Sequence, residues 1–169
     1  MTVFFRVLRL LTMVVWVGGL VFFAFVLAPI AFHVLPSKHE AGTVVGATLR
    51  ILNELGHACG FTFLFATIRP WLRAGARGRR IFVTQMLLVV LMLAATMVVQ
   101  VSIVPAMERD RLAAGGDVDE AAPDNPDRLD FERLHPRSEK LEGSALFLGL
   151  AVVVMMGFED SNTDGLPPA

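Results

Sequence analysis

Two long uncharged stretches constrain this sequence more than any other feature. One lies between Arg9 and Lys38, and the other lies between Arg80 and Glu108. Each is longer than the roughly 20 residues that an α-helix needs to cross the hydrocarbon core of a bilayer. Hydrophobic residues make up 54% of the chain, which is above the share usual in soluble domains. The sequence therefore predicts an all-α integral membrane protein.

Two shorter apolar segments, LGHACGFTFLFATI and GSALFLGLAVVVMMGF, bring the number of candidate spans to four. An uncharged helix of 14 residues is only about 21 Å long, against a hydrocarbon core of about 30 Å. Both helices must therefore extend backwards through charged residues. We expect the second to begin near Gly42 and the fourth near Pro136, because proline is well tolerated in a first helical turn.

The expected fold is a four-helix membrane bundle formed by a single domain over residues 1–158. Its spans cover about residues 8–32, 46–69, 81–105 and 138–158.

Arginine is concentrated in the connection IRPWLRAGARGRR, which contains no acidic residue. By the positive-inside rule this connection is cytoplasmic, and Arg6 and Arg9 place the N-terminus on the same side. We therefore expect both termini in the cytoplasm and a multi-pass protein of the cell's inner (plasma) membrane. The alternative for the N-terminus is a secretory signal peptide. It fits less well, because the apolar stretch is longer than that of such signals and the APIAF segment contains a proline.

The connection after the third span, residues 106–135, is expected on the outer side. It is acidic and interrupted by glycines and prolines, a composition typical of a solvated loop with a short helix at each end. The segment EDSNTDGLPPA, residues 159–169, is expected to be a disordered tail.

Small residues recur along the first two spans. Two glycine pairs of the second span have a spacing of four residues, which lets helix backbones approach closely in lipid. The candidate packing positions are Gly18, Gly19, Gly42, Gly46, Gly56 and Gly60. They predict helix packing within the bundle or, alternatively, a homodimer interface.

The polar residues near the spans are concentrated on the predicted outer side. His33 lies at the outer end of the first span, and Glu54 and His57 lie in the outer half of the second. Arg133 and His135 lie just before the fourth span. Because Glu54 and His57 are three residues apart, they share one face of a helix. The sequence therefore predicts a polar pocket that joins these five residues on the outer side.

Several ligands suit such a pocket. Glu54-x-x-His57 and Glu132-x-x-His135 resemble the ligand pairs of di-iron carboxylate proteins, but that site also needs a glutamate from each remaining helix. The first helix offers only His33. A mononuclear copper or zinc site with His57, His135 and a third ligand such as His33, Glu54 or Cys59 remains open, as does a haem between the two histidines.

A structural interpretation competes with these ligand sites. Polar groups inside a bundle commonly pair with one another, and contacts of Glu54 with Arg133 or of His57 with Glu132 would tie the second helix to the fourth. The pocket residues would then stabilise the fold without binding anything.

Catalysis and nucleic-acid binding are not expected. The sequence contains no phosphate-binding glycine loop, no serine-centred elbow and no pair of CxxC motifs, and its net charge is −1. The favoured function is a membrane module that handles a metal ion or small solute. The alternative is an accessory or structural subunit. Beyond the lipid bilayer, a larger membrane complex or a second copy of the chain is the expected partner.

Three segments carry a family resemblance: WVGGLVFFAFVLAPIAF, VPAMERDR and LHPRSEKLEG. Over residues 10–157 the chain resembles the transmembrane protein 205-like family, which includes many short bacterial proteins of unknown function. The most specific piece runs from Phe131 to Ser138. This resemblance implies a four-helix membrane bundle. The first-helix motif is also similar to that of copper resistance protein D domains. The sequence departs from the family pattern at Pro136 and at Glu142, where the family has asparagine.

Overall fold

The computed structural model describes residues 2–160, and within that range all regular structure is helical. In chain order the elements are α1 (Thr2–Phe22), a first π-helical segment (Phe23–Leu27), α2 (Ala28–Val34), α3 (Lys38–Arg73), α4 (Ala76–Val98), a second π-helical segment (Val99–Ile103), α5 (Val104–Ala113) and α6 (Pro126–Asp160). Most of the predicted tail lies outside the described residues. Its first two positions, 159 and 160, belong to the end of α6.

The helices form four continuous rods that are long and apolar enough to cross a membrane. The first span is Val3–Val34, the second Lys38–Arg73, the third Ala76–Ala113 and the fourth Pro126–Glu159. The predicted all-α fold with four membrane spans is thus confirmed, and the chain is a multi-pass membrane protein. A helix suits this environment because it satisfies its own backbone hydrogen bonds, which lipid cannot do.

The second span begins at Lys38, earlier than the expected start near Gly42. Ser37 has an extended backbone, and its hydroxyl oxygen accepts a hydrogen bond from the Glu40 N–H at 3.1 Å. This is the N-cap arrangement of a Ser-x-x-Glu sequence. The cap therefore sets the start of the helix well before the first long apolar run.

The fourth span begins at Pro126 instead of near Pro136. The Asn125 side-chain oxygen accepts hydrogen bonds from the N–H groups of Asp127 (2.9 Å) and Arg128 (3.2 Å), which caps the helix. Pro136 lies inside α6. The third helix also continues to Ala113, so only residues 114–125 of the predicted outer loop lack regular helix.

Each π-helical segment ends two residues before a proline. In the first span the Ala28 N–H bonds to the Phe23 carbonyl, five residues back, just ahead of Pro29. The third span repeats this arrangement ahead of Pro105. A proline has no N–H and its ring clashes with the carbonyl four residues earlier, so the helix widens by one residue per turn to pass it.

The core lies between the four spans and is built around Trp16, which is fully buried. Its indole packs on α3 at two glycines: a Cβ on Gly56 would overlap the indole, and one on Gly60 would lie 2.8 Å from it and 2.7 Å from Leu93. Helix α1 packs along α3, and α4 packs along α6. The close approach of α1 and α3 therefore depends on the absence of side chains at these two positions.

The other predicted packing glycines divide into two groups. A Cβ on Gly19 would lie 2.6 Å from the Leu52 side chain, whereas Gly18, Gly42 and Gly46 face open space in the single chain. Gly149 of α6, which the sequence analysis did not single out, packs closely on Val17 and Met92.

We expect Gly56→Ala to lower the stability of the protein by about 1–3 kcal/mol, because the new methyl group overpacks the Trp16 contact. The matched control is Gly42→Ala, whose methyl group enters open space and raises helix propensity by up to about 1 kcal/mol. The unfolding midpoint of each variant is measured by heating it with a thiol-reactive dye. The dye reports unfolding because the single cysteine, Cys59, is buried in the folded protein. Equal midpoints for the two variants would contradict the packing described.

The orientation in the membrane remains a prediction, and single cysteines test it in a Cys59→Ala background. Gly75 and Asp124 are exposed at opposite ends of the bundle. A membrane-impermeant maleimide should label the Asp124→Cys variant in intact cells. It should label the Gly75→Cys variant only after the membrane is permeabilised. The reverse pattern would place the basic connection outside.

Candidate functional site

The predicted pocket residues lie mostly on the surface of the bundle. His33, Glu54, Arg133 and His135 are all exposed, and each of the last three pairs with a side chain of its own helix, His135 as an ion pair only when it is protonated. These pairs are Glu54 with Arg50 (3.6 Å), Arg133 with Asp130 (3.2 Å) and His135 with Glu139 (3.2 Å). The predicted contacts between the second and fourth helices through Glu54 and Arg133 or through His57 and Glu132 are not among the contacts of the described residues.

His57 is the predicted pocket residue that faces a neighbouring helix. It is half-buried, and its Nε2 atom lies 3.2 Å from the hydroxyl oxygen of Thr96 on α4. Cys59 is a buried free thiol. In the part of the chain from residue 2 to residue 160, no three histidine, cysteine, aspartate or glutamate side chains are placed to hold a metal ion together.

The structure instead links the second and fourth helices through Asn53 and Glu142. The Asn53 side chain is fully buried, and its Nδ2 group donates a hydrogen bond to Glu142 Oε1 at 2.8 Å. Glu142 is half-buried on α6. Within the described residues no lysine, arginine or histidine lies within ion-pair distance of its carboxyl group.

Five buried side-chain atoms of the described residues have no hydrogen-bond partner. One is Arg9 Nε, and the other four are Trp16 Nε1, Asn53 Oδ1, Gln100 Oε1 and Glu142 Oε2. Their positions follow from helix geometry. Trp16 Nε1 lies against Gly56, three residues and about one helical turn after Asn53. Gln100 lies one turn after Thr96, the contact of His57. We call Trp16, Asn53, His57, Thr96, Gln100 and Glu142 the outer polar layer, after the side of the membrane on which the sequence predicts it.

A second group of buried polar side chains lies at the opposite end of the bundle and is centred on Arg9. The Arg9 guanidinium is 1% exposed and donates to Glu159 at 2.8 and 3.0 Å and to Gln85 Oε1 at 2.6 Å. Gln85 Nε2 donates to Glu159 Oε1 at 2.6 Å. The guanidinium carbon also lies 5.1 Å from the centre of the Phe63 ring and 4.9 Å from that of the Phe82 ring. We call these five residues the inner cluster.

The inner cluster joins all four spans, because its members come from α1, α3, α4 and α6. A buried charge is costly unless it is paired and hydrogen-bonded, and here both conditions are met. The aromatic rings add cation–π attraction in a site where the guanidinium is shielded from water. The inner cluster is therefore suited to be a clamp that holds the four spans together.

Sequence reasoning assigned Arg9 only to the topology signal and placed Glu159 in the tail. The available signal was Gln85, a polar side chain inside a long apolar run. Asn53 was missed because it adjoins the more conspicuous Glu54, and Glu142 was noticed only as a departure from a family pattern. A helical projection cannot show which polar face meets another helix.

About 25 Å separates the two polar groups along α6, as the spacing from Glu142 to Glu159 at about 1.5 Å per residue indicates. Between them lies the apolar core around Met13, Val17 and Met92. The outer polar layer and the inner cluster are therefore independent sites, and among the described residues only the outer polar layer combines an ionisable group with unpartnered acceptor oxygens that could accommodate a ligand.

We expect Glu159→Ala to destabilise the protein by about 3 kcal/mol, because it leaves the Arg9 guanidinium buried without its counter-charge. Replacing the polar members together, Arg9→Met with Gln85→Met and Glu159→Leu, should restore much of the loss. The control is Glu54→Ala, which removes the exposed partner of Arg50 and should lower the stability by less than about 1 kcal/mol. The same thiol-labelling unfolding measurement applies. A triple variant less stable than Glu159→Ala alone would argue against the clamp.

Comparison with known proteins gives one match. A family model described as a domain of unknown function, DUF4149, matches residues 11–113. No curated protein and no solved structure matches the chain. The matched region includes the first three spans from Leu11 onwards, and with them Asn53, His57 and Gln100 of the outer polar layer, but neither Glu142 nor Glu159. Because the match extends over more than half of the 169 residues, the protein belongs to the DUF4149 family.

Proposed function

We propose that this chain is a membrane module that binds a small cation at the outer polar layer. The observation that carries the proposal is the Glu142 carboxyl group, which lies between helices with one hydrogen bond, from Asn53, and no cationic partner among the described residues. Ionisable side chains inside a membrane bundle are rare and commonly mark an ion or substrate site. The proposal assigns the chain binding and not catalysis.

The chemistry of the unpartnered atoms favours a cation. Three of the four in the outer polar layer, Asn53 Oδ1, Gln100 Oε1 and Glu142 Oε2, are acceptor oxygens on three different spans. Buried acceptors without a donor are costly, and a positively charged ligand or a hydrogen-bond donor would satisfy them. Oxygen ligands suit alkali metal ions, protons and protonated amines better than copper or zinc, which prefer imidazole or thiolate.

Access to this layer is expected from the predicted outer side. Glu142 is half-buried, whereas the centre of the bundle is filled by apolar side chains and the other end is closed by the inner cluster. A single chain of four spans leaves little room for alternating access. Movement of the cation across the membrane would therefore require an oligomer or a larger complex.

The similarity of the first-helix motif to that of copper resistance protein D domains supports a solute-handling role, but the geometry moves the proposed site. It shifts from Glu54, Arg133 and His135, which are exposed, to the neighbouring Asn53 and Glu142, which meet between helices. Copper and zinc are proposed no further, since the described residues supply no convergent set of three ligands. Haem is proposed no further because His57 contacts Thr96, whereas His135 is exposed and contacts Glu139.

The test uses purified protein in liposomes adsorbed to a solid-supported membrane, with rapid exchange of sodium, potassium, ammonium or proton concentration. Wild-type protein should give a saturable charge displacement with one of these probes. Asn53→Leu and Glu142→Leu should weaken the apparent affinity about tenfold or more, because a hydrogen bond to a charged group contributes roughly 1.5–3 kcal/mol.

Glu54→Gln is the matched control, since it removes an exposed carboxylate adjacent to Asn53 in sequence and should leave the response unchanged. Absence of a response to all four probes in folded wild-type protein would contradict the proposal. Stable co-purification with other membrane proteins, combined with that absence, would favour an accessory subunit. Stoichiometric metal or a haem band in the purified protein would instead support the site predicted from the sequence at His57 and His135.

A further inference from the structure

The hydrogen bond between Asn53 and Glu142 leaves one oxygen unpartnered on each side chain. Asn53 Nδ2 donates to Glu142 Oε1 at 2.8 Å, while Asn53 Oδ1 and Glu142 Oε2 are buried and have no donor. An ionised carboxylate cannot donate, and the remaining amide oxygen cannot donate either. Because both oxygens are acceptors, they cannot form a hydrogen bond with each other.

We propose that the Glu142 carboxyl group is protonated on Oε2 and that this O–H group donates a hydrogen bond to Asn53 Oδ1, so that the carboxyl group and the amide close a ring of two hydrogen bonds. This deepens the proposed cation site, on which it rests, by naming the proton as the resident cation. A single proton removes the charge and provides both unpartnered oxygens with a hydrogen bond. The proton comes from hydronium on the side to which Glu142 is accessible, and water is the other product.

The neighbouring ionisable side chains do not neutralise Glu142, because they contact other residues. On α3, Arg50 pairs with Glu54, and His57 contacts Thr96 of α4. On α6, Glu139 pairs with His135. None of these contacts includes the Glu142 carboxyl group, and a buried carboxylate without a counter-ion is costly enough that neutralisation is its usual state.

A metal cation fits the Asn53–Glu142 pair less well than a proton does. The Asn53 side chain presents an N–H group to Glu142 Oε1, and the hydrogen of that group carries positive charge. Oxygen-liganded metal ions take several ligands at once, typically about six, and would compete with this donor. A proton needs only the two oxygens that are unpartnered, and it preserves the existing hydrogen bond.

The experiment is infrared spectroscopy of the full chain in lipid at neutral pH. A protonated carboxyl group has a carbonyl stretching band apart from the amide bands, and it shifts in deuterated water. We expect wild-type protein to show this band, with a further shift after isotopic labelling of the glutamate carboxyl carbons. Glu142→Gln should abolish the band, and Asn53→Ala should move it to higher frequency by removing hydrogen bonds from the carboxyl group.

Glu54→Gln and Glu139→Gln are the controls and should leave the band intact, because those carboxylates are exposed to water. Absence of a glutamate carboxyl band in wild-type protein overturns the proposal even if Glu142→Gln fails to fold, and so does a band that persists in folded Glu142→Gln. An ionised Glu142 together with a sodium, potassium or ammonium response would retain the cation site and refute only the proton. A protonated Glu142 with no response to any probe would refute the cation-binding function and retain the acid–amide pair.

Discussion

Polar side chains buried between helices in lipid must find partners on other helices, because no water is present to replace a missing one. This constraint accounts for both buried polar sites of the protein. At one end Arg9, Gln85 and Glu159 satisfy one another almost completely across three spans. At the other end Asn53 and Glu142 meet across two spans and leave acceptor oxygens unpartnered. The two sites therefore differ in what they leave unpartnered: one N–H group, Arg9 Nε, in the inner cluster, and three acceptor oxygens with the Trp16 N–H group in the outer polar layer.

Packing of the apolar middle keeps the two sites apart and fixes their depth. Trp16 lies against glycines of α3, and Gly149 of α6 lies against Val17 and Met92, so the helices approach through small residues and not through interlocked long side chains. The π-helical segments before Pro29 and Pro105 place an extra residue in the turns of the first and third spans. One of them contains Gln100, whose side-chain oxygen is among the unpartnered acceptors.

Acceptance of a cation at the outer polar layer would change the balance of charge inside the bundle without changing its core. The inner cluster already pairs its charges, so protonation or ion binding at Glu142 has no counter-charge there to disturb. The same argument explains why exposed pairs such as Arg50 with Glu54 contribute little: water screens them, and each side chain could be lost without leaving a buried charge.

The sequence by itself determined the membrane location, the helical class and the number of spans, because span length and apolar composition are properties of the chain along its own axis. It also indicated a polar segment around Glu54 and His57 in the middle of the second helix. The caps at Ser37 and Asn125, placed before the apolar runs, were readable as local signals but were outweighed by hydropathy.

Only the tertiary structure decided which polar side chains meet. Asn53 and Glu54 are adjacent in sequence, yet about 100° of helical rotation between them places Asn53 in the bundle and Glu54 on its surface. Arg9 and Glu159 lie 150 positions apart and become partners only when the first and fourth spans pack. Such pairing depends on the rotation and depth of every helix at once, and these are set by side-chain packing between spans, which no single segment of sequence contains.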